Sequence, residues 1–231
     1  MAFFSKTYKG NFPVFWQEYL DAFKSQKAKT GFLANVLDAK PLNQTRFVIF
    51  DCETTGLDHK EDRILSIGAV TTIDNKLFIT DGFELFIQQN LYKPESAAIH
   101  GILKEGTYTK VTEEEAIAQF IQFIGTDILV GHHIGFDIAV VNTALKRLDL
   151  ESLKNKSLDT EILYKRLVHP VNKTLQDRRY TLDQLAETLK IPLHDRHTSA
   201  GDAFITALAF IKIVHRLDSD NSLRVKDLFR R

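Results

Sequence analysis

The stretch FVIFDCETTGL, Phe47 to Leu57, decides how this chain is read. Its first half is a run of apolar, β-favouring residues, and a threonine–glycine turn signal follows, which predicts a buried strand. Alternation along a strand puts residues i and i+2 on one face, so Asp51 and Glu53 point the same way while Cys52 turns to the other side. Two carboxylates held that close repel each other and raise a pKa unless a cation lies between them. Directly after them, Thr54, Thr55 and Gly56 offer hydroxyls, main-chain N–H groups and a position where another backbone or a phosphate can come close. On spacing alone two readings stay open: a metal site at the strand exit, or carboxylates solvated at a strand end.

The chain around this strand has 231 residues and 26.4 kDa, with 44% hydrophobic residues that include 17 phenylalanines. That is one medium domain with an extension, or two small ones, and enough apolar material to fold without staples. A single cysteine excludes an internal disulfide and a cysteine-based zinc site, and it fits a reducing compartment. The start, MAFFSKTYKGNF, lacks the long apolar segment of a signal peptide, and no apolar stretch reaches the roughly 20 residues of a membrane helix. The expectation is a cytoplasmic protein with no membrane partner. Thirty basic residues balance thirty acidic ones. This excludes coating nucleic acid through bulk charge while leaving room for a local basic rim.

Outward from the strand, residues 11–38 carry Phe12, Phe15, Trp16, Tyr19, Leu20 and Phe23 at helical spacing, then Phe32, Leu33, Val36 and Leu37. They predict one or two amphipathic helices whose aromatic stripe packs on the main domain or on a partner. From Arg46 the pattern changes to strands interleaved with helices. ILSIGAVTTI joins KLFITDGFELFI through Asp74-Asn75 as a hairpin. A helix over Thr112–Ile124 opens with a capping box, Thr112 and Glu115. Ile128–Val130 reads as a further apolar run, followed by helices over FDIAVVNTALKRL, TEILYKRLV, YTLDQLAETL and TSAGDAFITALAFIKIVHRL. His169–Arg179 reads as a polar, basic loop whose Lys173, Arg178 and Arg179 suit a phosphate backbone or plain solvent. This order predicts an α/β fold with a sheet of mixed direction, divided as a helical extension over 1–45, a main domain over 46–216 and a charged tail over 217–231.

Other acidic pairs, Glu113/Glu115, Asp149/Glu151, Asp159/Glu161 and Asp218/Asp220, read as solvated helix faces or turns. Asp137, in GHHIGFD, falls in the first turn of a helix after an apolar strand, where α/β sheets place ligands and where the helix dipole alone favours an acid. His197 and Asp202, in HTSAGDAFITALAF, flank the small residues Ser199, Ala200 and Gly201, so that something can approach closely between them; a helix-start acid beside a surface histidine is the alternative. Taken together, the four acids and the histidine fit phosphodiester hydrolysis. That reaction needs an attacking hydroxide, a stabilised leaving oxygen and neutralised phosphate charge, and paired Mg²⁺ or Mn²⁺ about 3.5–4 Å apart supply all three. Hard cations choose carboxylate oxygens. Asp51 would bridge both ions, with Glu53 and Asp202 on one and Asp137 on the other, while His197 takes the proton from water.

With its three blocks in order, DCETTG, GHHIGFD and HTSAGDA, the chain from about Arg46 to His215 resembles the DEDDh family of 3′–5′ exonucleases, the group that includes the proofreading subunit of bacterial DNA polymerase III. The resemblance implies a ribonuclease H-like fold with a mixed five-stranded sheet flanked by helices. It implies two divalent cations, Mg²⁺ or Mn²⁺, on Asp51, Glu53, Asp137 and Asp202, with His197 as general base. Thr54, Thr55, Gly56 and Leu57 match the segment that holds and wedges the terminal nucleotide, Ile99, His100, Gly101 and Ile102 match a substrate-contacting segment, and His133 and Phe136 belong to the second block. The implied substrate is a single-stranded or frayed 3′ end of DNA or RNA, released as nucleoside 5′-monophosphates, and a DNA polymerase subunit is an implied partner. The sequence departs from the family pattern at His133, where many relatives carry Asn, and at Ser66, where many carry an acid. Competing expectations are a catalytically quiet nucleic-acid or polymerase-interaction module on the same fold, and a replicase subunit docked through the N-terminal aromatic helices.

Overall fold

The computed structural model describes residues 12–30, 40–168 and 178–230. The second half of the expected N-terminal helical region, with Phe32 to Leu37, lies outside these residues, as does most of the expected basic loop, 169–177. Of that loop, Arg178 is described, and its guanidinium lies 5.1 Å from the ring centroid of Tyr180.

Strand β1 (Phe47–Thr54) is central. It pairs antiparallel with β2 (Ile64–Ile73), which pairs antiparallel with β3 (Lys76–Ile87). Asp74 and Asn75 between them both adopt φ 55°, the left-handed pair that a tight two-residue hairpin requires. Helix α1 (Val14–Thr30) precedes the sheet, and the short α2 (Pro94–His100) follows β3. Next come β4 (Lys110–Val111) and α3 (Glu113–Ile124), whose capping box between Thr112 and Glu115 is fully formed. Then follow β5 (Ile128–Gly131), α4 (Gly135–Arg147), β6 (Ser157–Asp159) and α5 (Thr160–Val168). Helices α6 (Leu182–Leu189), α7 (Ser199–Leu217) and α8 (Val225–Leu228) complete the order. The sheet runs β4-β3-β2-β1-β5-β6, with β4, β5 and β6 joining in parallel. It has six strands rather than five because β4 adds two residues beside Phe86 and Ile87, too short to leave an alternation signal.

The alternation of β1 splits the core between the two sheet faces. Phe47 and Ile49 pack with Val130, Leu163, Leu185, Ile205 and Phe210. Val48, Phe50 and Cys52 pack with Phe120, Ile121, Val140 and Leu145. Phe15, Trp16 and Tyr19 of α1 are buried in that second cluster, so the aromatic stripe packs on the main domain. Tyr19 is fixed further: its hydroxyl donates to Asn155 Oδ1 at 2.6 Å and accepts the N–H of Lys154 at 2.7 Å. In the expected charged tail, Val225 and Leu228 are buried in the first cluster, and Val225 N–H donates to Lys40 O at 3.1 Å. Among the described residues no helix is long and apolar enough to cross a membrane.

Candidate active site

Asp51 and Glu53 continue the β1 face that carries Phe47 and Ile49, so they emerge on the side covered by α7. Helix α7 can lie close there because residue 68 of β2, the register partner of Asp51, is glycine. A Cβ on Gly68 would stand 2.2 Å from Ala200 N and 2.3 Å from Ser199 C. What approaches the small residues Ser199 and Ala200 is therefore the protein's own β2. Thr198 caps the helix by accepting the N–H of Gly201 at 3.1 Å, and Asp202 falls in the first turn. Asp51, Glu53 and Asp202 are thereby brought together, each with an oxygen within 4.8 Å of the others'.

Asp137 stands outside that group of three. It is buried at the start of α4, and its Oδ1 accepts the main-chain N–H of Cys52 at 3.0 Å. It remains near enough to matter electrostatically. Burial raises the Asp51 carboxyl well above its ordinary range, and the charges of Asp137, Asp202 and Glu53 raise it further, against a smaller pull from Arg196. Burial and then Asp202 push Glu53 up to about 7, again opposed by Arg196. Asp137 is raised mainly by burial, which the Cys52 N–H opposes. Three acids held together with Asp137 close by are short of positive charge, and a cation among them favours the ionised form that burial opposes at Asp51, Glu53 and Asp137. Asp202 Oδ1 adds to this, being buried with no hydrogen-bond partner. Carboxylates are the donor set that hard divalent cations take, so the residues present fit such a group.

His197 lies two residues before α7, exposed and with φ 62°. The left-handed region is uncommon outside glycine, though histidine takes it more readily than most residues. The segment from Thr54 to Leu57, expected from the resemblance to contact nucleotide, is partly committed to the protein itself. Thr55 Oγ1 donates to Asp62 Oδ1 at 2.7 Å, and Thr54 Oγ1 donates to Gly56 O at 2.7 Å. The side of Gly56 that lacks a Cβ is filled by Asp62, whose Oδ2 would lie 2.5 Å from such an atom. Leu57, by contrast, is 88% exposed. His100 is buried, its Nδ1 accepts Ile102 N–H at 3.0 Å, and burial holds its imidazole below the usual range. Ile102 is buried too, and both line a cleft of about 570 Å³ shared with Ser66, Tyr108, Ser199 and Phe204. His133, φ 57°, is exposed and lies 3.3 Å from Glu161 Oε2, while Phe136 packs at the edge of the second core.

Three residues escaped the sequence reading. Asp62 and Lys93 pair at 2.5 Å, and Asp62 Oδ2 also accepts Asp58 N–H, which ties the Thr54–Arg63 loop to the start of α2. Arg196 links Asp202 to Asp183. Partners 31, 13 and 6 residues apart leave no periodic signal. The pair Asp159/Glu161 is also no solvated face: Asp159 Oδ1 accepts Glu161 N–H at 2.9 Å, and Glu161 Oε1 accepts Tyr180 N–H at 2.8 Å.

A mixed sheet with acids at the exit of its central strand, faced by an acid on a packed helix, is a carboxylate arrangement suited to divalent cations on a ribonuclease H-like fold. The chain belongs to the Exonuclease family, whose model matches residues 48–210. It is 30% identical over 168 residues to the DNA polymerase III subunit epsilon of Treponema pallidum, covering 73% of this chain and 76% of that one. It is 34% identical over 174 residues to the PolC-type DNA polymerase III of Caldanaerobacter subterraneus, covering 74% of this chain but only 12% of that much longer relative. Among solved structures, E. coli exonuclease I in complex with a dT13 oligonucleotide superposes with TM-score 0.64 at 18% identity, over 77% of this chain and 42% of the other. Exonuclease X in complex with 5′ overhanging duplex DNA gives TM-score 0.59 at 23% identity, over 80% and 99%. These two likenesses are of fold.

Proposed function

We propose that the protein is a metal-dependent 3′–5′ exonuclease that removes nucleoside 5′-monophosphates from a single-stranded or frayed 3′ end of DNA or RNA. The observation that carries this reading is the convergence of Asp51, Glu53 and Asp202 within 4.8 Å, with a buried oxygen of Asp202 left without a donor. Asp51, Glu53 and Asp202 would hold one divalent cation and Asp137 would contribute to a second, Mg²⁺ or Mn²⁺ by the oxygen-only donor set. Bound there, such ions supply a nucleophilic water at neutral pH and positive charge on the leaving oxygen. His197, exposed two residues before α7, would accept the proton of the attacking water. Leu57 is the group free to wedge against a terminal base. Thr54, Thr55 and Gly56 shape the loop that presents it, and His100, Ile102, His133 and Phe136 border the path of the strand. The catalytic unit spans 46–216, with 1–45 as a helical extension and 217–231 as a C-terminal segment. Similarity to polymerase III subunits supports a DNA polymerase as partner and the cytoplasm as its place of action.

The test is a digestion time course on 3′-labelled and 5′-labelled single-stranded DNA, duplex DNA and RNA, with Mg²⁺, with Mn²⁺ and with chelator. Mononucleotide release from the 3′ end that stops with chelator is expected. Retained oligonucleotide binding without metal-dependent cleavage would overturn the proposal in favour of a quiet binding module.

A further inference from the structure

We propose that Arg196 is a positioning residue for the metal ligand Asp202, bridging it to Asp183 and fixing one carboxylate oxygen so that the other is left for a cation. This rests on the reading of the acidic cluster as a metal site. Arg196 immediately precedes His197. Its Nη1 donates to Asp202 Oδ2 and its Nε donates to Asp183 Oδ1, the latter at 2.5 Å. The guanidinium side chain is only 19% exposed and that of Asp202 10%. A planar fork of donors can hold two carboxylates at a set angle, which a flexible ammonium does not do.

Both ends of the bridge are anchored. Asp183 sits in the first turn of α6, a helix with a complete capping box between Thr181 and Gln184 and with Leu182, Leu185 and Leu189 buried in the first core. The segment that carries Arg196 is clamped onto α7. Thr198 Oγ1 donates to Asp195 O at 2.7 Å, and Gly201 packs so tightly beneath it that a Cβ would stand 2.0 Å from that same carbonyl oxygen. With Oδ2 committed in this way, Asp202 Oδ1 is buried and accepts nothing. An unmatched buried acceptor is costly, the more so when charged, so a carboxylate held rigidly with one oxygen unmatched is arranged for a ligand that takes that oxygen. The alternative is that Arg196 acts as a resident cation that competes with a metal ion for the cluster. The two roles give opposite signs when the guanidinium is removed.

The experiment is calorimetric titration of Mn²⁺ into chelator-stripped full-length protein, comparing wild type with Arg196→Gln, Arg196→Lys, Asp183→Asn and the double variant Asp183→Asn/Arg196→Gln. Thermal unfolding without metal is measured for each. A positioning role predicts that Arg196→Gln weakens Mn²⁺ binding by about 10–100-fold, as loss of an outer-shell partner does. It predicts a comparable loss in Arg196→Lys, which keeps the charge but not the fork, and a smaller loss in Asp183→Asn that does not add to that of Arg196→Gln, all with metal-free unfolding close to wild type. Unchanged or tighter Mn²⁺ binding in Arg196→Gln overturns the inference. Should that variant not fold, Arg196→Lys and Asp183→Asn decide it, and wild-type affinity in both is the overturning result. Wild-type protein that binds no Mn²⁺ sinks the metal-site reading itself, a failure distinguishable from any behaviour of the Arg196 variants.

Discussion

Gly68 stands opposite Asp51 in the β1–β2 ladder, and a Cβ built on it would come 2.2 Å from the main-chain nitrogen of Ala200. The first turn of α7 rests on β2 with no room for a methyl group, and that seating carries Asp202 to the two strand acids. Gly68→Ala is expected to destabilise the protein by about 1–3 kcal/mol through overpacking, and to lower nuclease activity beyond the share of protein unfolded. Gly135→Ala is the control: nothing lies within 4 Å of its would-be Cβ, so its stability should hold or rise by up to about 1 kcal/mol. Urea unfolding of the two variants checks this, and equal stability would show that α7 is seated by other contacts.

The raised acids give the metal-free protein a pH dependence of definite sign. Burial and then Asp202 move Glu53 from its ordinary 4.5 to about 7 in the folded state, so folding favours its protonated form. Its contribution is fully present below pH 4.5 and is lost as pH rises towards 7. From that shift the loss is on the order of 3 kcal/mol. Stability measured in chelator should therefore fall over this range in wild type more steeply than in Glu53→Gln. Added Mn²⁺ should abolish the difference in slope, because a bound cation favours the charged form. Parallel curves for the two proteins in chelator would refute the account.

Replacing Asp51 by Asn removes one member of the converging acids without changing side-chain volume. Hydrolysis is expected to disappear while oligonucleotide binding survives. His197→Ala should retain metal binding and slow single-turnover cleavage by about 10²–10⁴-fold, the range for a missing general base. Wild-type rates for His197→Ala would assign proton removal to another group.

Burial pushes the Asp62 carboxyl up, but Lys93, Thr55 and the Asp58 N–H together hold it below its usual range. Its stabilising contribution is present above the ordinary carboxyl pKa and fades as pH falls through the lowered one. Asp62→Asn should cost about 1–3 kcal/mol, less than for a fully buried pair because Lys93 is partly exposed. It also loosens the loop that presents Leu57, so KM for a short oligonucleotide should rise more than kcat falls. Steady-state kinetics on a trinucleotide would show it, and an unchanged KM would separate this pair from substrate binding.

The sequence made some of these features legible and hid others for physical reasons. Asp74-Asn75 and the Thr112/Glu115 box are local chemistry, and each is formed where the residues predict it. Alternation put Asp51 and Glu53 on one side of β1. Small residues at Ser199 to Gly201 announced a close approach, but not that its partners are Gly68 and Asp195 O. Helix α2, seven residues opened by Pro94, is too short for a period to show. Side-chain pairs such as Asp62–Lys93 and Arg196–Asp183 depend on where the backbone has already brought distant segments. No pattern along the chain encodes them.

Helix α1 has a practical meaning for anyone who trims this protein. Trp16 and Tyr19 stack at 4.8 Å beneath the same sheet face as Phe120, and Tyr19 is pinned to Lys154 and Asn155. A shortened version starting at Arg46, the obvious cloning boundary from motif positions, would lay a greasy surface bare and should precipitate or recruit chaperones on expression, while one starting before Phe12 should stay in solution.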